Sequence, residues 1–197
     1  MRKPNMTQTL LFILVIGIGL FYAIKYGNKA KKDIADYKQK TEKQTEQNPY
    51  PDMRKMAFSV TAEQLELNGT KENDVYGIIA EMDMGGAIAT VVTFVPGDTS
   101  LYLSTGAGFI GAGQHEDVRK IVKRFVENGQ QYLVKANKIE KPELPKSGMT
   151  NFNFLTGNGI YSIAKNTSEL ESGKSEFSNL FAELNEIITQ IRLKSGG

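Results

Sequence analysis

No cysteine occurs anywhere in this chain. Disulfides, thiolate catalysis and cysteine-based zinc sites are thereby excluded. There is one histidine, His115, so a histidine-rich metal site is excluded as well. Strong positive charge is also missing from the C-terminal three quarters. Residues 1–50 hold nine Lys/Arg and four Asp/Glu, a net of +5, whereas residues 51–197 hold fifteen and eighteen, a net of −3. A mildly acidic domain has no electrostatic footprint for nucleic acid. No internal repeat is visible, and no segment carries a metal-ligand spacing. The expectation is a chain with no metal and no cofactor.

What is present is one long apolar run. Leu10 to Ile24, LLFILVIGIGLFYAI, is fifteen residues without a charge, eleven of them Leu, Ile, Val or Phe. Fifteen helical residues rise about 22 Å, short of the roughly 30 Å hydrocarbon core. Residues 7–26 rise about 30 Å, which fits. Tyr22 and Tyr26 suit the headgroup region, and Lys25 can snorkel. Eleven strongly apolar residues contribute roughly −3 to −6 kcal/mol toward insertion. The expectation is a single transmembrane helix over 7–26, preceded by a tail over 1–6, with the lipid bilayer as its partner. Gly17 and Gly19 are two apart, so they form no GxxxG dimer face.

A cleaved signal peptide is the rival reading, with Arg2 and Lys3 as its basic start. Its cleavage site is poor. No small-x-small triplet follows the run, and the nearest candidate, Asn28-Lys29-Ala30, lies among lysines. Orientation follows from the flanks: Lys25, Lys29, Lys31, Lys32, Lys38 and Lys40 outnumber Arg2 and Lys3. The positive-inside rule then places the soluble domain in the cytoplasm.

Residues 27–55 read as a charged, Gln-rich stalk or linker. Asn48-Pro-Tyr-Pro51 reads as a helix terminator, because proline lacks the N–H donor and restricts its predecessor. Residues 56–194 read as a soluble α+β domain. Phe58 and Val60 suggest a short strand, and Thr61 with Gln64 suggests a capped helical turn. A β-meander follows. Val75 to Met84 is joined by Gly85-Gly86 to Ala87–Val95, and Pro96-Gly97-Asp98 leads to Ser100–Ser104. Val118, Ile121, Val122, Phe125, Val126 and Leu133 form one helical stripe. A second hairpin spans Phe152–Thr156 and Ile160–Lys165 around Gly-Asn-Gly. Phe177, Leu180, Phe181, Leu184, Ile187, Ile188 and Ile191 mark the last helix. The predicted order is β-β-β-α-β-β-α. The predicted architecture is a two-layer domain: an antiparallel five-stranded sheet, six-stranded if Phe58–Val60 joins it, with two long helices on one side.

Several residues could carry chemistry. Gly106, Gly108 and Gly111 match GxGxxG between a strand and a helix, a pattern that lets backbone donors approach a pyrophosphate. The preceding strand belongs to a meander rather than a βαβ crossover, and Glu116 and Asp117 would repel a phosphate. The competing reading is a bulge and close crossing at a sheet edge, with Phe109 and Ile110 buried. A partner-binding tip is a third. His115 is a weak candidate for catalysis beside Ser104 and Thr105, against a role in starting the helix. Glu81 and Asp83 share one strand face and could bind a cation or transfer protons, against a solvated strand end. Arg119, Lys120, Lys123 and Arg124 form a basic patch that reads most simply as a solvated helix face. Glu171-Ser-Gly-Lys-Ser175 lacks the glycine and strand of a phosphate loop.

No catalytic constellation emerges. The expected function is a single-pass, membrane-anchored, non-enzymatic interaction module, binding an unidentified protein partner or itself near the bilayer. Two alternatives stand beside it. One is a membrane-tethered nucleotide sensor or enzyme using Gly106–Gly113 and His115. The other is an exported soluble protein.

Overall fold

The computed structural model describes residues 48–195, and every feature below belongs to that segment. The predicted span over 7–26, the tail before it and the stalk up to residue 47 lie outside the described residues. Among the described residues no helix is long and apolar enough to cross a membrane.

The domain is α+β and is built on one antiparallel sheet. Helix α1 (Tyr50–Ser59) comes first. Strands β1 (Val75–Asp83), β2 (Ile88–Phe94), β3 (Thr99–Leu103) and the short β4 (Gly108–Phe109) follow. Helix α2 (Glu116–Gly129) leads through a 3-10 segment, Gln130–Lys135, to β5 (Asn137–Ile139). The hairpin β6 (Met149–Thr156) and β7 (Gly159–Asn166) precedes the short α3 (Thr167–Glu171) and the long α4 (Ser178–Ser195). The seven strands lie in the order β4-β3-β2-β1-β6-β7-β5.

Both predicted hairpins form where their turn residues demand. Gly85 and Gly86 have φ of 72° and 154°, and Met84 N–H closes the turn on Ala87 O at 2.8 Å. Thr156 pairs with Gly159 across Gly157-Asn158. Strand β1 is central and joins the two halves, pairing with β2 on one side and β6 on the other.

Alternation along β1 separates two cores. Ile78, Ala80 and Met82 face α2 and α4, with Phe125, Phe152, Phe154, Phe177, Leu184 and Ile187 in the same cluster. Those four phenylalanines are fully buried. Burying such a side chain contributes roughly 1.5–3 kcal/mol, so this side holds most of the apolar stabilisation. Asn128 Nδ2 donates to Glu183 Oε1 at 2.7 Å, and Arg124 meets Glu186 at 2.6 Å, tying the two helices together.

The other face departs from the two-layer expectation. Ile79, Val92, Phe94 and Leu155 form a second, smaller core beneath Ala57 of α1. The segment Asn48-Pro-Tyr-Pro51 therefore starts a helix instead of only ending one. Prolines in a first turn forfeit no intrahelical bond, and their fixed φ favours initiation. Asn48 Oδ1 accepts from Tyr50 N–H at 3.0 Å at that start. Phe58 lies within α1, so no strand forms there. Thr61 and Gln64 do form the reciprocal cap: Thr61 N–H donates to Gln64 Oε1 and Gln64 N–H to Thr61 Oγ1, at 2.9 and 3.2 Å.

Candidate functional site

The second sheet face carries polar side chains where an interior would ordinarily be apolar. Register places Thr90, Glu81 and Asn151 side by side across β2, β1 and β6. The next row sets Ile79 beside Asn153, Ser162 and Asn137 across β1, β6, β7 and β5. Glu81, Thr90 and Asn153 are fully buried.

Helix α1 places Arg54 over this surface. Arg54 Nε donates to Glu81 Oε1 at 2.6 Å and Nη2 to Oε2 at 2.8 Å, a bidentate pair. Thr90 Oγ1 donates to Glu81 Oε1 at 3.3 Å, and Tyr50 Oη lies 2.9 Å from Thr90 Oγ1. The Arg54 guanidinium also stacks over Phe58, 4.8 Å from the ring centroid. Burial disfavours its charge, but the hydrogen bonds and negative charge of Glu81 outweigh that and hold its pKa above the ordinary value. Burial, aided by the Glu81 charge, raises the Tyr50 phenol above its usual value. Glu81 is therefore the anchor of α1, not a solvated strand end. Asp83 is equally engaged, accepting from Gly148 N–H at 2.8 Å and Gly85 N–H at 3.3 Å.

The same guanidinium reaches the loop between β5 and β6. Arg54 Nη2 donates to Pro142 O at 3.3 Å, and Asn151 Nδ2 donates to Glu143 O at 3.2 Å. With the Asp83–Gly148 bond, three contacts fix this loop above the sheet. Between loop and strands lies a cleft of about 520 Å³, lined by Asn137, Ile139, Lys141, Glu143, Leu144, Lys146, Met149, Asn151, Ser162, Ile163 and Ala164.

The residues predicted to bind nucleotide lie elsewhere. Gly106, with φ of 96°, turns the chain between β3 and β4, and its N–H donates to Leu103 O at 2.9 Å. Gly108 is in β4, where a Cβ would sit 2.7 Å from Leu101 O. Gly111, with φ of 78°, precedes a 3-10 turn over Ala112–Gln114, and its N–H donates to Ser100 Oγ at 3.4 Å. These glycines shape a sheet-edge hairpin, and Gly113 crosses within 2.3 Å of Gly97 O, measured from where its Cβ would be. Phe109 packs on the main core, but Ile110 is 68% exposed, contrary to its expected burial, because β4 ends at Phe109 and Ile110 lies beyond it in the link to the 3-10 turn. His115 starts α2 through its backbone: its N–H donates to Ala112 O at 3.1 Å, and its carbonyl accepts from Arg119 at 2.9 Å. Ser104 Oγ accepts from Ile88 N–H at 2.8 Å. Among the described residues no three Asp, Glu or His side chains are grouped to hold a metal ion.

Known families and folds offer no guide. Neither a family model, nor a curated protein, nor a solved structure matches this chain. The basic patch on α2 is largely paired within the domain: Lys120 and Arg119 approach Glu116 at 3.8 and 3.6 Å, and Arg124 reaches α4. The open cleft, and the Arg54–Glu81 pair that helps to fix its wall, are the features that sequence reasoning missed. One signal existed: Glu81 lies between Ala80 and Met82 in a strand whose other positions are almost all apolar.

Proposed function

We propose that this chain is a single-pass membrane-anchored protein whose soluble domain is a non-enzymatic interaction module, held near the bilayer on its cytoplasmic side. The cleft between the 140–148 loop and strands β5–β7 carries the reading. Its lining mixes apolar Ile139, Leu144 and Met149 with Asn137, Asn151 and Ser162, the composition of a recognition surface. Its wall is fixed by hydrogen bonds from Arg54, Asn151 and Gly148, so little ordering cost remains to be met on binding. The apolar run over 10–24 and the lysines that follow it support the anchor and its orientation.

Photo-crosslinking in cells tests this. A photoreactive residue at Leu144 or Ala164 is expected to give a discrete adduct in the membrane fraction, and one at Lys123 on α2 is not. The module reading fails if neither cleft position gives an adduct. The anchor fails if the chain is soluble and lighter by about three kilodaltons, as removal of a leader would make it.

A further inference from the structure

We infer that the cleft accepts an extended peptide segment bearing carboxylates; this rests on the interaction-module reading and names the partner's chemistry. Two ammonium groups, Lys141 and Lys146, stand on the loop wall, and both side chains are exposed. Among the described residues neither ammonium group has an ion pair or hydrogen bond, a condition shared on other surfaces by Lys55, Lys71, Lys123 and Lys174. Glu143 is the only acid in the lining. Residues 51–197 carry a net −3, so Lys141 and Lys146 stand against a background of opposite charge.

The floor adds groups that can accept a hydrogen bond. Asn151 is only 8% exposed and lines the cleft. Its Nδ2 is bound to Glu143 O, which leaves its Oδ1 able to accept from a further donor. An amide oxygen at a cleft floor can accept from a ligand N–H. Ser162 Oγ donates to Asn153 Oδ1 at 2.7 Å, which leaves its own oxygen able to accept from a ligand donor. Phosphate, which at neutral pH carries O–H donors as well as acceptors, would leave the apolar lining uncovered, whereas a ligand that fills the cleft offers N–H groups to the floor and carboxylates to the loop wall. A peptide supplies both: its backbone N–H meets the floor, and its carboxylates meet Lys141 and Lys146. In an extended peptide, successive side chains point to opposite sides. Acidic residues at alternate positions then face the lysines, while the intervening apolar ones meet Ile139 and Met149 on the strands.

The test uses the full chain in mild detergent and a fluorescein-labelled peptide of alternating Glu and Leu. Saturable binding is expected, weakening as salt rises. The same peptide with Lys for Glu is expected not to bind. The double variant Lys141→Glu/Lys146→Glu is expected to weaken binding by about tenfold or more. Ala164→Arg, which fills the floor from an exposed position, is expected to abolish it without altering the melting temperature. Equal binding by wild type and both variants, or none by wild type, overturns the proposal. So does complete displacement by equimolar inorganic phosphate, which would mark a simple anion site. If cleft crosslinks form in cells while the acidic peptide fails to bind, the interaction module stands and only the partner chemistry is wrong.

Discussion

Replacing Arg54 by Met is the most demanding test of how α1 is held. The substitution keeps most of the aliphatic bulk and removes both hydrogen bonds to Glu81, whose side chain is fully buried. A carboxylate left there without its cation costs about 3–5 kcal/mol. The helix can lift and let water reach Glu81, which limits the loss; only Tyr50 and Ala57 of its ten residues are buried. We therefore expect a loss of about 3 kcal/mol, near the lower end. For a domain of this size that lowers the melting temperature by about 6–12 °C. Urea unfolding of the full chain, followed by circular dichroism, measures it, and hydrogen exchange locates it in α1 and residues 140–148. The double variant Arg54→Met/Glu81→Leu removes both charges and is expected to recover most of the loss, because a well-packed apolar pair often equals a buried ionic one. A loss below about 1 kcal/mol for Arg54→Met would refute the reasoning, since that is the range of a surface pair. So would strict additivity of the two single variants, which would mean that the side chains do not interact.

Three further outcomes are expected. Gly113→Ala forces a Cβ to within 2.3 Å of Gly97 O, and both walls are backbone; overpacking of this kind costs about 2 kcal/mol, seen as an earlier urea midpoint with unchanged cleft binding. Lys194 holds the Asp117 carboxyl below its usual pKa, and Lys135 with Lys165 does the same for Glu176. The stabilisation from these depressed carboxyls is complete above the unfolded value of about 4 and is lost as pH falls below it, so melting temperatures between pH 5 and 3 should drop, less steeply in high salt. Burial raises the phenols of Tyr50, Tyr76 and Tyr132. Their contribution is intact below about pH 10 and is lost as pH rises through the higher folded values, so alkaline unfolding should begin as tyrosinate absorbance appears.

The elements readable from sequence were those with a local cause. Gly85-Gly86 and Gly157-Asn158 specify their turns within two residues, and the stripe from Phe177 to Ile191 specifies its helix without reference to the sheet. The strands β4 and β5 are two and three residues long, too short to show a period, and exist because β3 and β7 offer edges. Helix α1 was obscured because the same prolines that bar a helix from continuing also begin one. The burial of Glu81 depends on Arg54 and Thr90, which lie 27 and 9 residues away in the chain. The cleft is less legible still, since its wall and floor come from three strands and a loop whose meeting no local pattern announces.

Strand order also governs when the domain can be completed as it is made. Strands β1 to β4 pair with near neighbours in the chain, so that meander can assemble as it emerges. The opposite edge of β1, from Val75 to Met82, pairs only with β6. Until Thr156 has been synthesised, this apolar edge in the middle of the eventual sheet has no strand beside it, and unpaired edges of this kind recruit other chains. Helix α1, already made and ionically attached at Glu81, offers cover to one face of the meander during that interval. The early position of α1 in the chain thus gives the nascent half-sheet a guard before its second half exists.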